Sequence, residues 1–313
     1  MKYKIEAGRN NLALTIFVPW NCSKNCNFCT TKKEYNQELS NIKDIKRLMN
    51  RTLKKITFIT DIVISGGEPL DNVNELYSLI KDIDKSKYHI FVNTSFPKIE
   101  ESNLGVFKKI INLVDGFNVS RHFQHNYEHF CSFEEIQELI GGKTKVRINI
   151  LLQHQIDTLK IKEFIPFLDY IEKIKSYEIF DVQLRANYLK TSANDNDTEF
   201  MLHNDIDKTS LYLKSAYESD LKFHKTGCPV CSTISIPYNC FSVISYHKGL
   251  KSTLIEKDGY YQVNDVIIMP TGNLKLDWDG ENVELKNISL YEIEEDEDCV
   301  PFYSCGSRGC GGR

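Results

Sequence analysis

The sequence predicts an α/β fold built on a parallel sheet, followed by a small β-rich extension. Between residues 12 and 190, six apolar, β-prone runs alternate with stretches whose apolar residues recur at helical spacing. Alternation of this kind implies right-handed crossovers between parallel strands. Later in the chain, short apolar runs are separated by His-Lys-Gly, Lys-Asp-Gly and Pro-Thr-Gly, which are hairpin signals.

The strands read, in order, as Leu12–Val18, Ile56–Ser65, Tyr88–Thr94, Gly116–Arg121, Lys145–Leu152 and Glu178–Tyr188. The first intervening helix is marked by Leu39, Ile42, Ile45, Leu48 and Met49, the second by Leu76, Leu79, Ile80 and Ile83. Leu104, Phe107, Ile110 and Ile111 mark the third, and Phe133, Ile136, Leu139 and Ile140 the fourth. A fifth stripe runs through Ile161, Phe164, Ile165, Leu168 and Ile171. The polar run Thr191 to Asp197 reads as a surface linker, and Leu211 to Phe223 as one more amphipathic helix. The extension then shows strands at Cys240–Tyr246, Leu250–Glu256, Tyr260–Met269 and Asn273–Trp278. The expected division is 1–190 for the core, 191–227 for linker and helix, and 228–313 for a cysteine-rich β extension.

With 313 residues, 41% of them hydrophobic and 26% charged, the chain has ample material for a packed core. Its net charge of −4 argues against general nucleic-acid binding. No signal-peptide pattern opens it and no apolar run approaches membrane-spanning length. Ten cysteines without a secretory signal suggest reduced, metal-serving thiols and a cytoplasmic protein.

Cys22, Cys26 and Cys29 stand at C-x3-C-x2-C spacing directly after the first strand. Three thiolates on one short loop can converge on an iron–sulfur cube, which normally takes four cysteines. The missing ligand would leave one iron open. A zinc knuckle or three unrelated thiols could give the same spacing. A second motif follows the second strand: Ile-Val-Ile-Ser-Gly-Gly-Glu-Pro, residues 62–69, where Gly66 and Gly67 allow a sharp turn and a close backbone approach to a ligand.

Together the two stretches resemble the signature of the radical S-adenosylmethionine (radical SAM) superfamily, including the aromatic, here Phe28, before the third cysteine. The resemblance implies a partial (β/α)6 barrel with its active site at the C-terminal strand ends. It implies a [4Fe-4S] cluster on Cys22, Cys26 and Cys29 whose open iron chelates S-adenosylmethionine. Gly66, Gly67 and the Glu68 backbone and side chain would hold the methionyl ammonium. Asn93, Ser120, Asn149 and Arg185, at later strand ends, suit ribose hydroxyls, the cofactor carboxylate or the substrate. An electron donor such as flavodoxin or ferredoxin would serve the cluster.

Residues 121–130 hold three histidines and three aromatics. Lining of a substrate pocket is the preferred use, ahead of a solvated loop or metal binding, and Cys131 reads as a small packed apolar group. Near the end, Cys228, Cys231, Cys240, Cys299, Cys305 and Cys310 form a second set. With the stretch Met269 to Asp277 they look similar to SPASM and Twitch auxiliary-cluster extensions. There, however, a cysteine stands where this chain has Asp277, so a full two-cluster extension is not expected. One further [4Fe-4S] cluster, a structural zinc and unliganded thiols all remain open, with Cys228, Cys231, Cys299, Cys305 and Cys310 as the possible ligands.

The implied chemistry is reductive cleavage of S-adenosylmethionine and hydrogen abstraction from a small-molecule substrate, a nucleotide or a metabolite. A peptide-modifying maturase is the alternative. A leader-peptide-binding domain is not expected ahead of a first strand near residue 12. A non-catalytic zinc-binding module is the alternative of another class.

Overall fold

The computed structural model describes residues 3–7, 12–24, 26, 29, 31–122, 127–152, 161–177, 179–186, 224–226, 233–237, 243–247, 254–257, 259–263, 265–277 and 280–292. Six strands form its centre: β2 (Leu12–Val18), β3 (Ile59–Gly66), β4 (His89–Thr94), β5 (Gly116–Ser120), β6 (Lys145–Leu152) and β7 (Phe180–Ala186). They lie side by side in chain order, and every neighbouring pair is parallel. The crossovers carry α1 (Ile42–Lys55), α2 (Val73–Ile80), α3 (Leu104–Leu113), α4 (Phe133–Ile140) and α5 (Ile161–Lys175). The mixed α/β class and the parallel sheet therefore agree with the sequence reading.

Local chemistry explains the boundaries. Asn41 caps α1 by accepting from the Asp44 amide, and Ile45, Met49 and Leu53 turn one stripe inward. Ser132 and Glu135 form a capping box at the start of α4, and Gly141 ends that helix in the left-handed region at φ 57°. All seven residues of β2 are buried, as expected of a central parallel strand covered on both faces.

Side chains alternate across the sheet. Val92, Val119, Ile148, Ile150 and Val182 share the main core with Ile45, Leu76, Phe107, Ile136 and Phe167 from the helices. Asn93, Asn118, Ser120, Asn149 and Gln183 lie in the opposite phase. Asn93 is in register with Asn118, and Ser120 with Asn149 and then Gln183. The face opposite these described helices is thus polar toward the C-terminal strand ends.

The β-rich extension expected over 228–313 does not stand apart from the core sheet in its described strands. Among the described residues the sheet has eleven strands, and later segments extend it at both edges. Strand β10 (Val243–His247) runs parallel to β7 and antiparallel to β9 (Thr233–Pro237), with β8 (His224–Thr226) outermost. Strand β13 (Asp265–Ile268) runs parallel to β2 and pairs with β14 (Leu274–Lys275). The run expected as one strand, Tyr260–Met269, divides between two sheets. Its first part, β12 (Tyr260–Val263), joins a four-stranded sheet with β11 (Leu254–Lys257), β1 (Tyr3–Ala7) and β15 (Ile288–Glu292). Strand β1 also precedes the strand that was expected to be first. Hairpin chemistry made these segments look self-contained, but their exposed edges are satisfied by the open edges of the core sheet. The expected linker and helix at 191–227 fall almost wholly outside the described residues.

Lys175, at the end of α5, is 1% exposed and donates to the Phe180 carbonyl at 2.9 Å. Burial pushes its pKa down to about 8 from an ordinary 10.5. Between those values the unfolded chain holds a proton that the folded one does not, so this residue's contribution to stability rises with pH. Urea midpoints of wild type and Lys175→Met should therefore diverge as pH rises from 8 to 10, with the wild type gaining on the variant. A constant difference across that range would rule the buried ammonium out as the cause.

Candidate functional site

Strands β2 and β3 stay paired to their last residues, Val18 opposite Gly66. Each then opens into one of the two motifs, so C-x3-C-x2-C and Gly-Gly-Glu-Pro leave neighbouring strand ends. Cys22, Cys26 and Cys29 are free thiols of intermediate exposure. The Lys24 amide donates to Cys22 Sγ at 3.3 Å, Cys29 Sγ lies 3.5 Å from Thr31 Oγ1, and the Cys29 amide donates to the Cys26 carbonyl at 3.2 Å. Burial raises the Cys22 pKa to about 11 and also raises that of Cys26, which the neighbouring Cys29 reinforces. Because soft metal centres bind the thiolate, loading must release these protons and is favoured as pH rises.

The donor set fits an iron–sulfur cluster. Among the described residues no three His, Cys, Asp or Glu side chains are grouped to hold a single metal ion. Three thiols on one short loop are the donor chemistry that an iron–sulfur cube takes. Phe28 lies outside the described residues.

The glycines serve the protein first. A Cβ on Gly67 would stand 2.2 Å from the Trp20 carbonyl oxygen and 3.0 Å from the Cys22 amide nitrogen, both in the cysteine loop. Gly66 has φ +106°, and a Cβ there would meet Tyr35 Oη at 2.2 Å. The close approach expected toward a ligand is thus already made by the cysteine loop itself. Hydrogen bonds hold the two loops together. Trp20 Nε1 donates to the Glu68 carbonyl at 2.9 Å, and the Ser23 amide to Asp71 at 3.2 Å. Tyr35 Oη accepts from the Gly67 amide at 2.5 Å while donating to the Val18 carbonyl at 2.9 Å.

Glu68 is 2% exposed. Its Oε1 accepts from the Leu70 amide at 3.0 Å and from Thr94 Oγ1, and its Oε2 from the amide and hydroxyl of Ser95. Burial pushes its pKa up, against the opposing pull of the Ser95, Thr94 and Leu70 bonds. Four donors occupy the lone-pair sites of a carboxylate. Through these bonds the Glu68 side chain ties the turn after β3 to the end of β4. Beyond it, Phe96 is buried with φ 56°, and its amide donates to Thr94 Oγ1 at 2.8 Å.

Arg121 continues this layer. It is 3% exposed, and its guanidinium donates to the carbonyls of Ser95, Ser120, Phe96 and Cys131. Tyr127 and Phe130 lie against it at 4.8 and 5.1 Å, and Lys24 of the cysteine loop sits 4.4 Å from the Phe130 ring. These two aromatics therefore cover a buried cation, a use that the pocket-lining expectation did not foresee. Residues 123–126, with His125, lie outside the described residues. Cys131 is packed as expected, 5% exposed.

On the polar face Asn118 Nδ2 donates to Asn93 Oδ1 at 2.8 Å, and Asn93 Nδ2 to Ser65 Oγ at 3.1 Å. Ser120 is half-buried beside Asn149. Asn149 is 8% exposed, and its Oδ1 has no partner among the described residues. Arg185 lies on β7, two residues beyond Gln183. Cys228, Cys231, Cys240, Cys299, Cys305 and Cys310 all lie outside the described residues. Trp20, Tyr35, Thr94, Ser95 and Asn118 were not foreseen. Asn118 alone left a legible signal, a polar residue inside an apolar strand.

Residues 10–134 match the family model described as a 4Fe-4S single cluster domain, a span that holds both motifs. No curated protein matches the chain in sequence. Among solved structures, Streptococcus suis SuiB is similar over 87% of this chain and 60% of its own, at 16% identity and a TM-score of 0.47. SuiB bound to precursor peptide SuiA is similar over 85% and 59%, at 16% identity and a TM-score of 0.49. Native anSMEcpe with bound AdoMet is similar over 65% and 62%, at 15% identity and a TM-score of 0.40. The chain spans about three fifths of the length of each of these structures.

Gly67→Ala should lower iron loading severalfold, because its Cβ pushes on the cysteine-loop backbone. Gly105→Ala, in α3 with nothing within 4 Å of the new Cβ, should leave iron unchanged and add about 0.5–1 kcal/mol of stability. Iron analysis and urea melts read both outcomes, and equal iron in Gly67→Ala would mean that the loop yields freely.

Proposed function

We propose that this chain, which carries a 4Fe-4S single cluster domain over residues 10–134, is a radical SAM enzyme. One observation carries the reading. The three-cysteine loop and the Gly-Gly-Glu-Pro turn leave adjacent parallel strands at the same level and are bonded to each other. When bound, the cluster and S-adenosylmethionine supply reductive carbon–sulfur cleavage and hydrogen abstraction from substrate.

The chain's own residues hold and orient these groups. Cys22, Cys26 and Cys29 are the ligands of the cluster. The Gly66–Gly67 backbone receives the methionyl ammonium, since the Glu68 carboxylate is committed to Thr94, Ser95 and Leu70. Asn93, Ser120, Asn149 and Arg185 line the cofactor and substrate side, where Asn149 Oδ1 offers an acceptor to a hydroxyl or N–H group. The six parallel strands form the partial barrel of this reading. Reducing equivalents come from a flavodoxin or ferredoxin. The substrate is a small molecule, a nucleotide or metabolite, suited to a wall of neutral hydrogen-bonding side chains.

Anaerobically purified protein should contain iron and sulfide, and should form 5′-deoxyadenosine with dithionite and S-adenosylmethionine. Alanine at Cys22, Cys26 or Cys29 should abolish both cluster and product. Any such variant cleaving at the wild-type rate would refute the assignment, and stoichiometric zinc without iron would favour a binding module. Label transfer from candidate metabolites and peptides into 5′-deoxyadenosine separates the two substrate classes.

The tail cysteines give a further test. If Cys228, Cys231 and some of Cys299, Cys305 and Cys310 hold a second cluster, wild type should carry about eight irons and the triple Cys22/Cys26/Cys29→Ala variant about four. Zinc in the triple variant would make the second site structural, and neither metal would leave these thiols unliganded.

A further inference from the structure

Tyr35 is the side chain in which both motif loops meet. It follows Cys29 by six residues, in the short helical turn Lys32–Asn36 that closes the cysteine loop. Its hydroxyl reaches back to the strand ends, taking the Gly67 amide at 2.5 Å and giving its own proton to the Val18 carbonyl at 2.9 Å. Val18 and Gly66 are the last register pair of β2 and β3. One hydroxyl therefore bridges two strands where their ladder stops.

We propose that Tyr35 is a positioning residue that fixes the Gly66–Gly67 peptide for cofactor binding. This rests on the radical SAM reading above. A glycine at φ +106° has no side chain to hold the peptide plane that follows it, so an outside contact must set its orientation. Tyr35 grips that plane by its N–H. Among the described residues no peptide is cis, so the Gly66 carbonyl points away from the tyrosine hydroxyl. With the Glu68 carboxylate occupied, an ammonium must be met by backbone carbonyls, and Tyr35 sets the direction of one of them. The missing Cβ of Gly66 is the space that the hydroxyl fills. Tyrosine and glycine thus form one unit, although they come from different motifs.

The test uses reconstituted full-length protein and Tyr35→Phe, which keeps the ring and removes both bonds. Iron content should match wild type, because Tyr35 is no ligand. Amide hydrogen exchange in the peptide covering Gly67 should speed up. S-adenosylmethionine affinity, measured by equilibrium dialysis, should weaken on the order of tenfold. The cofactor-induced change in the electron paramagnetic resonance spectrum of the reduced cluster should need correspondingly more cofactor.

Thr144→Val is the control for a purely structural loss. Its buried hydroxyl donates to the Ile111 carbonyl at 3.0 Å, at the opposite end of the sheet. This variant should lose stability yet keep wild-type cofactor affinity. Unchanged affinity in Tyr35→Phe, equal weakening in both variants, or loss of iron in Tyr35→Phe would each overturn the proposal. A wild-type protein with cluster but no cofactor binding would fail the radical SAM reading itself, and the positioning role with it.

Discussion

A carboxylate removed from water must be met by donors or give up its charge by taking a proton, and Glu68 sits under that constraint. Its four donors come from the turn that follows β3 and from Thr94 and Ser95 at the end of β4. Ser95 and Phe96 then give their carbonyls to Arg121 after β5. Three successive strand ends are linked through one buried anion and one buried cation. The groups are satisfied almost entirely by uncharged partners, so neither depends on a direct ion pair. Removing either charge's partners would leave a costly unpaired group. Removing both charges together with apolar replacements is the less damaging change.

The same layer explains why the cysteine loop can be short. A loop that brings three thiols together needs fixed ends more than internal structure. Its first end is held by Trp20 on the Glu68 carbonyl and by Ser23 on Asp71, its far end by Tyr35. Beneath it, β2 is buttressed on its outer edge by β13, which is contributed by a segment about 250 residues later in the chain. Phe17, Ile267 and Met269 form a small apolar cluster of their own. The Ser40 amide donates to the Pro270 carbonyl at 2.9 Å, joining the hairpin of β13 and β14 to the entry of α1. The stretch likened to an auxiliary-cluster extension thus supports the strand that delivers the cysteines.

Where local pattern decided structure, the sequence was legible. The six central strands, five helices and the adjacency of the two motifs follow from period-2 and period-3.6 patterning, and β-branched runs such as Ile62 to Ile64 left little ambiguity. The edges of the sheet were not legible. Whether Asp265–Ile268 pairs with a local hairpin partner or with β2 depends on contacts far apart in sequence, and both choices demand the same residues. The candidate site divides likewise. Motif cysteines and glycines are visible through their spacing. Tyr35, Thr94 and Ser95 carry no local signal, because a hydroxyl near a strand end is equally at home in solvent.

The glycine pair shows how much a sequence leaves open about a close backbone approach. Close backbone approach is what glycine permits, but the sequence does not say approach to what. Here the neighbours are Trp20, Cys22 and Tyr35, all within or flanking the cysteine loop. A side chain at Gly67 would act on the cysteine-loop backbone before it acted on any cofactor. Conversely, any movement of that loop is transmitted to the Gly66–Gly67 peptide through Tyr35 and Trp20. The two motifs are therefore packed as one site, joined through Trp20, Ser23 and Tyr35. That coupling follows from two parallel strands ending together, with space between their loops too small for even one methyl group.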